Sequence, residues 1–299
     1  MRRLVVAFAL LVVGGCAAGE HPWSSTALCA VERGGGEEEP KETAWLSLLL
    51  AGWDPATRRA THPAVDCTGA QVRWEGPALR CTDGSTALAD VPDRPLGPDD
   101  VVVSKLGDDY RIVWIVTNRY ASGDGLGPVA VVEVRPRRLI VRAIGHLRAN
   151  LVRPRLRLER LGDREVLVAE GEVCSSADPS SCARSARVMP LERERYVAAP
   201  VTSEDGACVS PALFELGREE SVPLPSGWRR RYRLDSTLSF LPTTLRVKEA
   251  VVVSDYDPRH PNTPERPYRR AEAETDVRHE RGRFVTASTS LWAKMLEAR

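Results

Sequence analysis

The sequence predicts a mostly β protein: an antiparallel sandwich, an open barrel or a partial propeller, with one short helix before the strands and one after them. Three observations predict it. Blocks rich in β-branched and aromatic residues, such as Tyr110–Thr117 and Val129–Val134, follow one another from about residue 70 onward. Elsewhere Val152, Leu156 and Leu158 alternate with Arg153, Arg155 and Arg157, a half-buried strand with one wet face. Turn chemistry separates these segments, as in Leu161-Gly162-Asp163-Arg164 and Arg281-Gly282, so a dozen or so strands succeed one another at short intervals.

Taken in order, residues 17–40 hold Gly34-Gly35-Gly36 and Glu37-Glu38-Glu39-Pro40, a glycine- and charge-rich stretch that reads as a tether, with Cys29 able to pin it down. A helix is expected next. Pro40 suits a first turn, the glutamates before it favour the positive end of the helix, and Gly52 with Asp54-Pro55 ends it. Trp45, Leu48 and Leu49 form one face, widened by Leu46 and Leu50, which predicts burial against the body. Strands are expected over Val101–Val103, Tyr110–Thr117, Val129–Val134, Leu139–Ile144, the alternating 152–158 segment and Glu165–Ala169.

Leu245, Val247, Val251 and Val253 share one face of a later strand, which Glu249 interrupts. Over 268–278, Arg270, Glu272, Glu274, Asp276 and Arg278 lie on one side, while Ala271, Ala273, Thr275 and Val277 lie on the other. Phe284–Ser288 is expected to pair back across Arg281-Gly282, and Ser290–Glu297, with Leu291 and Met295 four residues apart, forms a closing helix. Arg138, Arg195 and Arg283 each open a strand after a charged turn. Their unequal spacings of 57 and 88 residues make this hairpin chemistry rather than a repeat. The Pro-rich 221–226 stretch either divides the 41–299 body or is a loop within one domain.

The N-terminus carries an address. Arg2 and Arg3 precede the apolar run Leu4–Val13, and Gly14-Gly15-Cys16 follows. A basic start, a short apolar run and small residues make a secretory signal, and the run is shorter than the roughly 20 residues a membrane-spanning helix needs. Val13-Gly14-Gly15-Cys16 resembles the lipobox of bacterial lipoproteins. The resemblance implies cleavage after residue 15, lipid on Cys16 and a membrane reached through that lipid. Ala17, where such proteins carry Asp to stay at the inner membrane, implies the outer membrane facing the periplasm.

The chain has 42 Lys+Arg against 41 Asp+Glu. Removal of residues 1–15 leaves 40 against 41, a net charge of −1 that argues against a nucleic-acid partner. With Cys16 lipidated, Cys29, Cys67, Cys81, Cys174, Cys182 and Cys208 remain, an even set that reads as up to three disulfides in an exported protein. Cys174 and Cys182 flank a polar loop, Cys67 and Cys81 flank the strand-like Gln71–Glu75, and Cys29–Cys208 follows by subtraction. No C-x-x-C occurs and no His stands at ligand spacing from a cysteine pair, so a zinc site is not expected, nor is any cofactor.

Catalytic signatures are missing: no G-x-S-x-G, no Walker A loop and no H-E-x-x-H. Gly123, Gly125 and Gly127 have no helix after them, and Asn118 with Asp124 supplies too few carboxylates for calcium. Asp255, Asp257 and His260 lie within six residues and offer a metal or acid–base reading, yet Pro258, Pro261, Pro264 and Pro267 mark a connection between strands. Arg153, Arg155 and Arg157 share one strand face, as do Arg229, Arg231 and Arg233. Were the two strands neighbours, six guanidinium groups would form an anion-binding surface. The leading expectation is a lipid-anchored envelope binding or assembly module, with an envelope protein or glycan as partner. A hydrolase or metal enzyme using the 255–260 loop and an anion-binding surface are the alternatives.

Overall fold

The structure, a computed structural model, describes residues 23, 26–33, 39–74, 94–174 and 182–297. In chain order the elements begin with β1 (Cys29–Glu32), α1 (Glu42–Leu49), β2 (Leu50–Ala51) and β3 (Val65–Asp66). A first group of long strands follows: β4 (Val101–Leu106), β5 (Tyr110–Ile115), β6 (Asn118–Arg119), β7 (Asp124–Arg135) and β8 (Arg138–Asn150). Then come β9 (Val152–Leu161), β10 (Arg164–Cys174), β11 (Cys182–Glu192), β12 (Arg195–Tyr196), β13 (Val201–Ser203) and β14 (Cys208–Ser210). The last are β15 (Leu213–Pro223), β16 (Arg229–Phe240), β17 (Leu245–Tyr256), β18 (Arg266–Glu280), β19 (Arg283–Thr286) and α2 (Leu291–Glu297). The three recurrent arginines at 138, 195 and 283 each open a strand, as expected.

Seventeen strands form one hydrogen-bonded network that folds back on itself as a sandwich whose second sheet curls like an open barrel. In the first sheet β4, β5, β7 and β8 pair antiparallel in that order. The far edge of β8 takes β1 antiparallel at residues 138–141 and β12 parallel at 144–145. With Leu151 alone intervening, β8 passes into β9 and so into the second sheet, which runs β9–β10–β11–β15–β16–β17–β18–β19–β13–β14. Neither a propeller nor a closed barrel results, since β9 and β14 end the second sheet without pairing with each other among the described residues.

Burial explains the layering. On β7 every residue from Gly125 to Glu133 is buried, so its run Val129-Ala130-Val131-Val132 does not alternate, which is what a strand covered on both faces requires. One face meets α1 through Val113, Ile115, Ala130, Val132, Leu139 and Val141 against Trp45, Leu46 and Leu49. The other meets the second sheet, where Trp114, Val129, Val131 and Leu147 pack on Leu156, Leu167, Ala169 and Met189. The opposite side of β10 and β11, Val166, Val168, Ala186 and Val188, packs on Val201, Leu245, Val277 and Phe284 as the sheet curls over. Finally α2 covers β16 and β17 with Trp292 and Met295. The interrupting Glu249 is buried there, and its carboxylate accepts a hydrogen bond from the Leu291 amide (2.7 Å) at the helix start, where unpaired N–H groups favour an anion.

Two sequence expectations change, and the 221–226 stretch takes one of its two alternatives. Part of the predicted tether is built into the fold, since Cys29–Glu32 pairs with β8 and Trp23 is buried. The 221–226 stretch is the end of β15 and a hairpin turn, closed by a hydrogen bond from the Leu224 amide to the Trp228 carbonyl (2.8 Å). The disulfides also differ. Cys174–Cys182 bridges directly opposed residues of β10 and β11 as expected, but Cys29 is joined to Cys67, which displaces the expected Cys67–Cys81 and Cys29–Cys208 pairs. The reason is tertiary: the edge of β8 carries β1 under α1, where Cys29 and Cys67 pack on the same apolar cluster. Cys208 is disulfide-bonded too, and Cys81 lies outside the described residues.

Two glycines permit the strand crossings. A Cβ on Gly127 would stand 1.6 Å from the Ile115 carbonyl oxygen, and one on Gly145 would stand 2.4 Å from that of Tyr196. Gly145→Ala must push β12 off β8. It is expected to lower stability by about 1–3 kcal/mol in urea unfolding, the usual cost of forcing extra volume into a packed interior.

Candidate functional site

Three hairpin turns converge at one end of the molecule: 162–163 between β9 and β10, 193–194 between β11 and β12, and 281–282 between β18 and β19. Together with Trp23 they line an open cleft of about 1100 Å³. Arg193 and Glu194 have φ of 48° and 71°, and Arg281 and Gly282 have 51° and 79°. Two successive left-handed residues match the right-handed twist of the flanking strands, which is why such turns usually carry Asn-Gly. At 193–194 neither residue is glycine. The turn is held by the Glu194 carbonyl, which accepts the Ile144 amide of β8 (3.0 Å). Arg193 and Arg281 carry their guanidinium groups on these tips without an ion pair or hydrogen bond among the described residues.

The floor of the cleft is a buried carboxylate. Glu165 Oε1 accepts hydrogen bonds from Trp23 Nε1 and from the Tyr196 hydroxyl, both at 2.5 Å. The Trp23 ring also lies 4.9 Å, centre to centre, from that of Tyr110. Burial pushes the Tyr196 phenol well up and the Glu165 charge adds to it, so this hydroxyl is a fixed donor and not a nucleophile. The arrangement ties the N-terminal chain to β10 and β12 at one oxygen atom.

A second cleft, of about 560 Å³, adjoins the first through Arg195 and Val197, which line both. Behind its wall lies Asp66, fully buried at the end of β3. Oδ1 accepts from the Thr68 and Ala70 amides (2.8 and 3.0 Å) and the Thr68 hydroxyl (2.7 Å), while Oδ2 faces His146 Nε2 (3.1 Å) and Arg195 (3.6 Å). Burial pushes this carboxyl up, but the hydrogen bonds from His146, Thr68 and Ala70 outweigh it and hold the value at about 2. A carboxylate–imidazole pair beside a cleft is the usual outline of a general base. Here His146 Nδ1 lies 3.2 Å from the Arg73 carbonyl oxygen, so both ring nitrogens are committed inside the protein. The cluster latches the 65–73 segment onto β8 and β12.

The residues singled out from sequence fall elsewhere. Asp255 is held by Arg230 through two bonds, at 2.7 and 3.0 Å. Asp257 is engaged by Arg259 (3.0 and 3.2 Å) and His260 Nδ1 (3.0 Å), which hold its carboxyl far below the usual range. Each carboxylate therefore has its own partner. Among the described residues the metal-ligating atoms drawn together are those of Glu172, Cys174 and Cys182, and there both sulfurs are already spent in the disulfide.

The two arginine faces are not neighbours, which corrects the six-arginine surface. β10, β11 and β15 separate β9 from β16, because the chain order of hairpins dictates the sheet order. Acids meet most of these arginines: Arg153 faces Glu172, Arg157 is paired with Glu159 and Glu170, and Arg231 and Arg233 share Glu219 and Glu265. Arg229 donates to Ser221, and Arg155 lies exposed opposite Glu170. Cys16 lies outside the described residues.

Sequence reading missed Trp23, Glu165, Asp66 and Arg195 as members of one end of the fold. Their partners are 142, 31 and 80 residues apart, and only the Arg195-Tyr196 strand start was marked by a pattern. Among known proteins, no family, no curated protein and no solved structure matches the chain.

The Asp66 latch predicts an acid limb in stability. Its folded carboxyl lies below the ordinary 3.8, so its stabilising effect is complete above that value and is lost as pH falls through about 2. Asp66→Asn is expected to cost on the order of 2 kcal/mol at neutral pH and to flatten the loss between pH 5 and 2; urea unfolding across that range tests both. Tyr196→Phe removes a hydroxyl donor from buried Glu165 and is expected to cost about 1–3 kcal/mol by the same measurement.

Proposed function

We propose that this protein is a lipid-anchored binding or assembly module of the bacterial envelope, attached through Cys16 and using the cleft between the three turns as its ligand site. One observation carries the reading: Trp23, seven residues past Cys16, is built into the floor of that cleft. A fully extended chain of seven residues spans at most about 25 Å. A lipid on Cys16 therefore keeps the cleft close to the membrane surface. Among the described residues no helix is long and apolar enough to cross a membrane.

The cleft's lining favours a polar ligand. Arg164, Arg193, Arg195 and Arg281 alternate with Asp163, Glu165, Glu192 and Glu194, so donors and acceptors are interleaved and the net charge of this set is zero. Such a surface suits a hydroxyl-rich glycan or an extended peptide of an envelope protein rather than a bare anion or an acyl chain. The alternative hydrolase reading has less support, because Asp255 and Asp257 are each held by an arginine and the nitrogens of His146 face inward. The outer membrane facing the periplasm is the proposed location, from Ala17 after the lipidated cysteine.

Two measurements test the proposal. Radiolabelled palmitate is expected on the full chain and not on Cys16→Ala; label on neither would remove the anchor. A photoreactive residue at position 193 or 281 is expected to capture one dominant envelope protein or glycan, with much reduced yield in Cys16→Ala. Equal capture from position 257, which lies outside the cleft lining, would remove the site.

A further inference from the structure

Strand β18 has an open edge. It pairs with β17 along Arg266–Val277, but on its other side β19 pairs only with Val277–Glu280. Residues 266–274 thus present a row of backbone groups with no strand beside it among the described residues, to which Pro267 adds a carbonyl but no N–H, while beyond it Ser288 hydrogen-bonds the Thr275 side chain (3.2 Å). Proteins usually blunt such an edge by covering it, shortening it or scattering like charges along it. Here Pro267 and a bulge at Tyr268 blunt the first residues of the edge, and beyond them the charges are sorted. The first half holds Arg266, Arg269 and Arg270, the second half holds Glu272, Glu274 and Asp276, and Ala271 lies between them.

From this sorting we infer that β18 pairs antiparallel with β18 of a second copy of the chain, across a two-fold axis at Ala271. That register sets Ala271 against its own copy and Arg270 against Glu272 twice, and lays each basic half along an acidic half. Shifting the axis by one residue to Glu272 sets two carboxylates against each other, and shifting it to Ala273 sets Glu272 against Glu274. A parallel pairing in register would put like against like throughout. The two-fold contact is self-complementary, as a closed dimer requires.

The side chains are available for it. Arg270 pairs along its own strand with Glu272 (2.7 Å), Arg246 with Asp276 (2.8 Å) and Lys248 with Glu274 (3.5 Å), all of them exposed. Exposed pairs hold weakly and exchange partners at little cost. The small residues at 271 and 273 leave the axis uncrowded. α2 packs over the apolar cluster of β16 and β17 and also touches β18, without covering the row at Arg270–Glu272 with a strand.

The test uses the purified full chain in a Cys16→Ser background, with Ala271→Cys and, in parallel, Ala273→Cys, under mild copper-phenanthroline oxidation. Across the axis, Ala271 lies about 4.5–5.5 Å from its copy, within disulfide reach, while Ala273 lies about 14 Å from its copy. Ala271→Cys is expected to give a homodimer and Ala273→Cys is not. Sedimentation without added cysteines supplies the second arm. Arg270→Glu or Glu272→Arg alone is expected to weaken the dimer about tenfold, and the double exchange Arg270→Glu/Glu272→Arg is expected to recover most of that loss. A monomer at all concentrations, equal cross-linking from 273, a cross-link from 271 to a different protein, or failure of the double exchange to recover dimerisation would overturn the inference. Circular dichroism of each variant separates loss of pairing from loss of fold. None of these arms depends on lipidation or on the cleft.

Discussion

The constraint on which the rest of this structure depends is the burial of the first sheet on both faces. β7 has no wet side, so α1 must cover one face and β9–β11 the other. That requirement fixes where the chain turns: β8 has to leave the first sheet and become β9, with one residue between them, to bring the second sheet across. Gly127 and Gly145 follow from the same requirement, since strands packed this closely leave no space for a Cβ. Layering also explains the Cys29–Cys67 link, which staples β1 to the segment beyond α1 on the covered face.

Charged groups taken into this body are paired, while the indole N–H groups of Trp53, Trp114 and Trp292 are buried without a hydrogen-bond partner among the described residues. Asp100 is met by Arg94 and Arg119, Glu133 by Arg142, and Arg148 by Asp124 with the Tyr120 ring beneath it. Buried charges without such partners would shift or unfold the protein, so the abundance of arginine is matched by acids placed one strand away. Glu165 accepts from two neutral donors, Trp23 and Tyr196. This makes it the point at which the N-terminal segment, the second sheet and the cleft meet.

The exposed features then separate into two groups. At the end with the turns, charges of both signs are interleaved around a concave space. Along β18 they are sorted into halves on a free edge. Interleaving suits a small polar ligand or a peptide, whereas sorting suits a copy of the same strand running the other way. The β18 edge is left over once the layers are packed, whereas the cleft shares Trp23 with the core beneath it.

From sequence alone the mostly β class, both helices, most of the long strands but not β11 or β15, and the Cys174–Cys182 bridge could be read. Periodicity and turn chemistry act over a few residues, and local physics decides them. The alternation over 268–278 even placed the charges of β18 on one side. The tertiary structure alone decided that residues 29–32 form a strand, that Cys29 meets Cys67, and that the two arginine strands lie apart. It also decided that Trp23, Glu165, Tyr196, Asp66 and His146 gather at one end. These depend on which segments become neighbours across separations of 31 to 142 residues, and that is settled by burying apolar faces cooperatively, a sum over the whole chain that no short window contains.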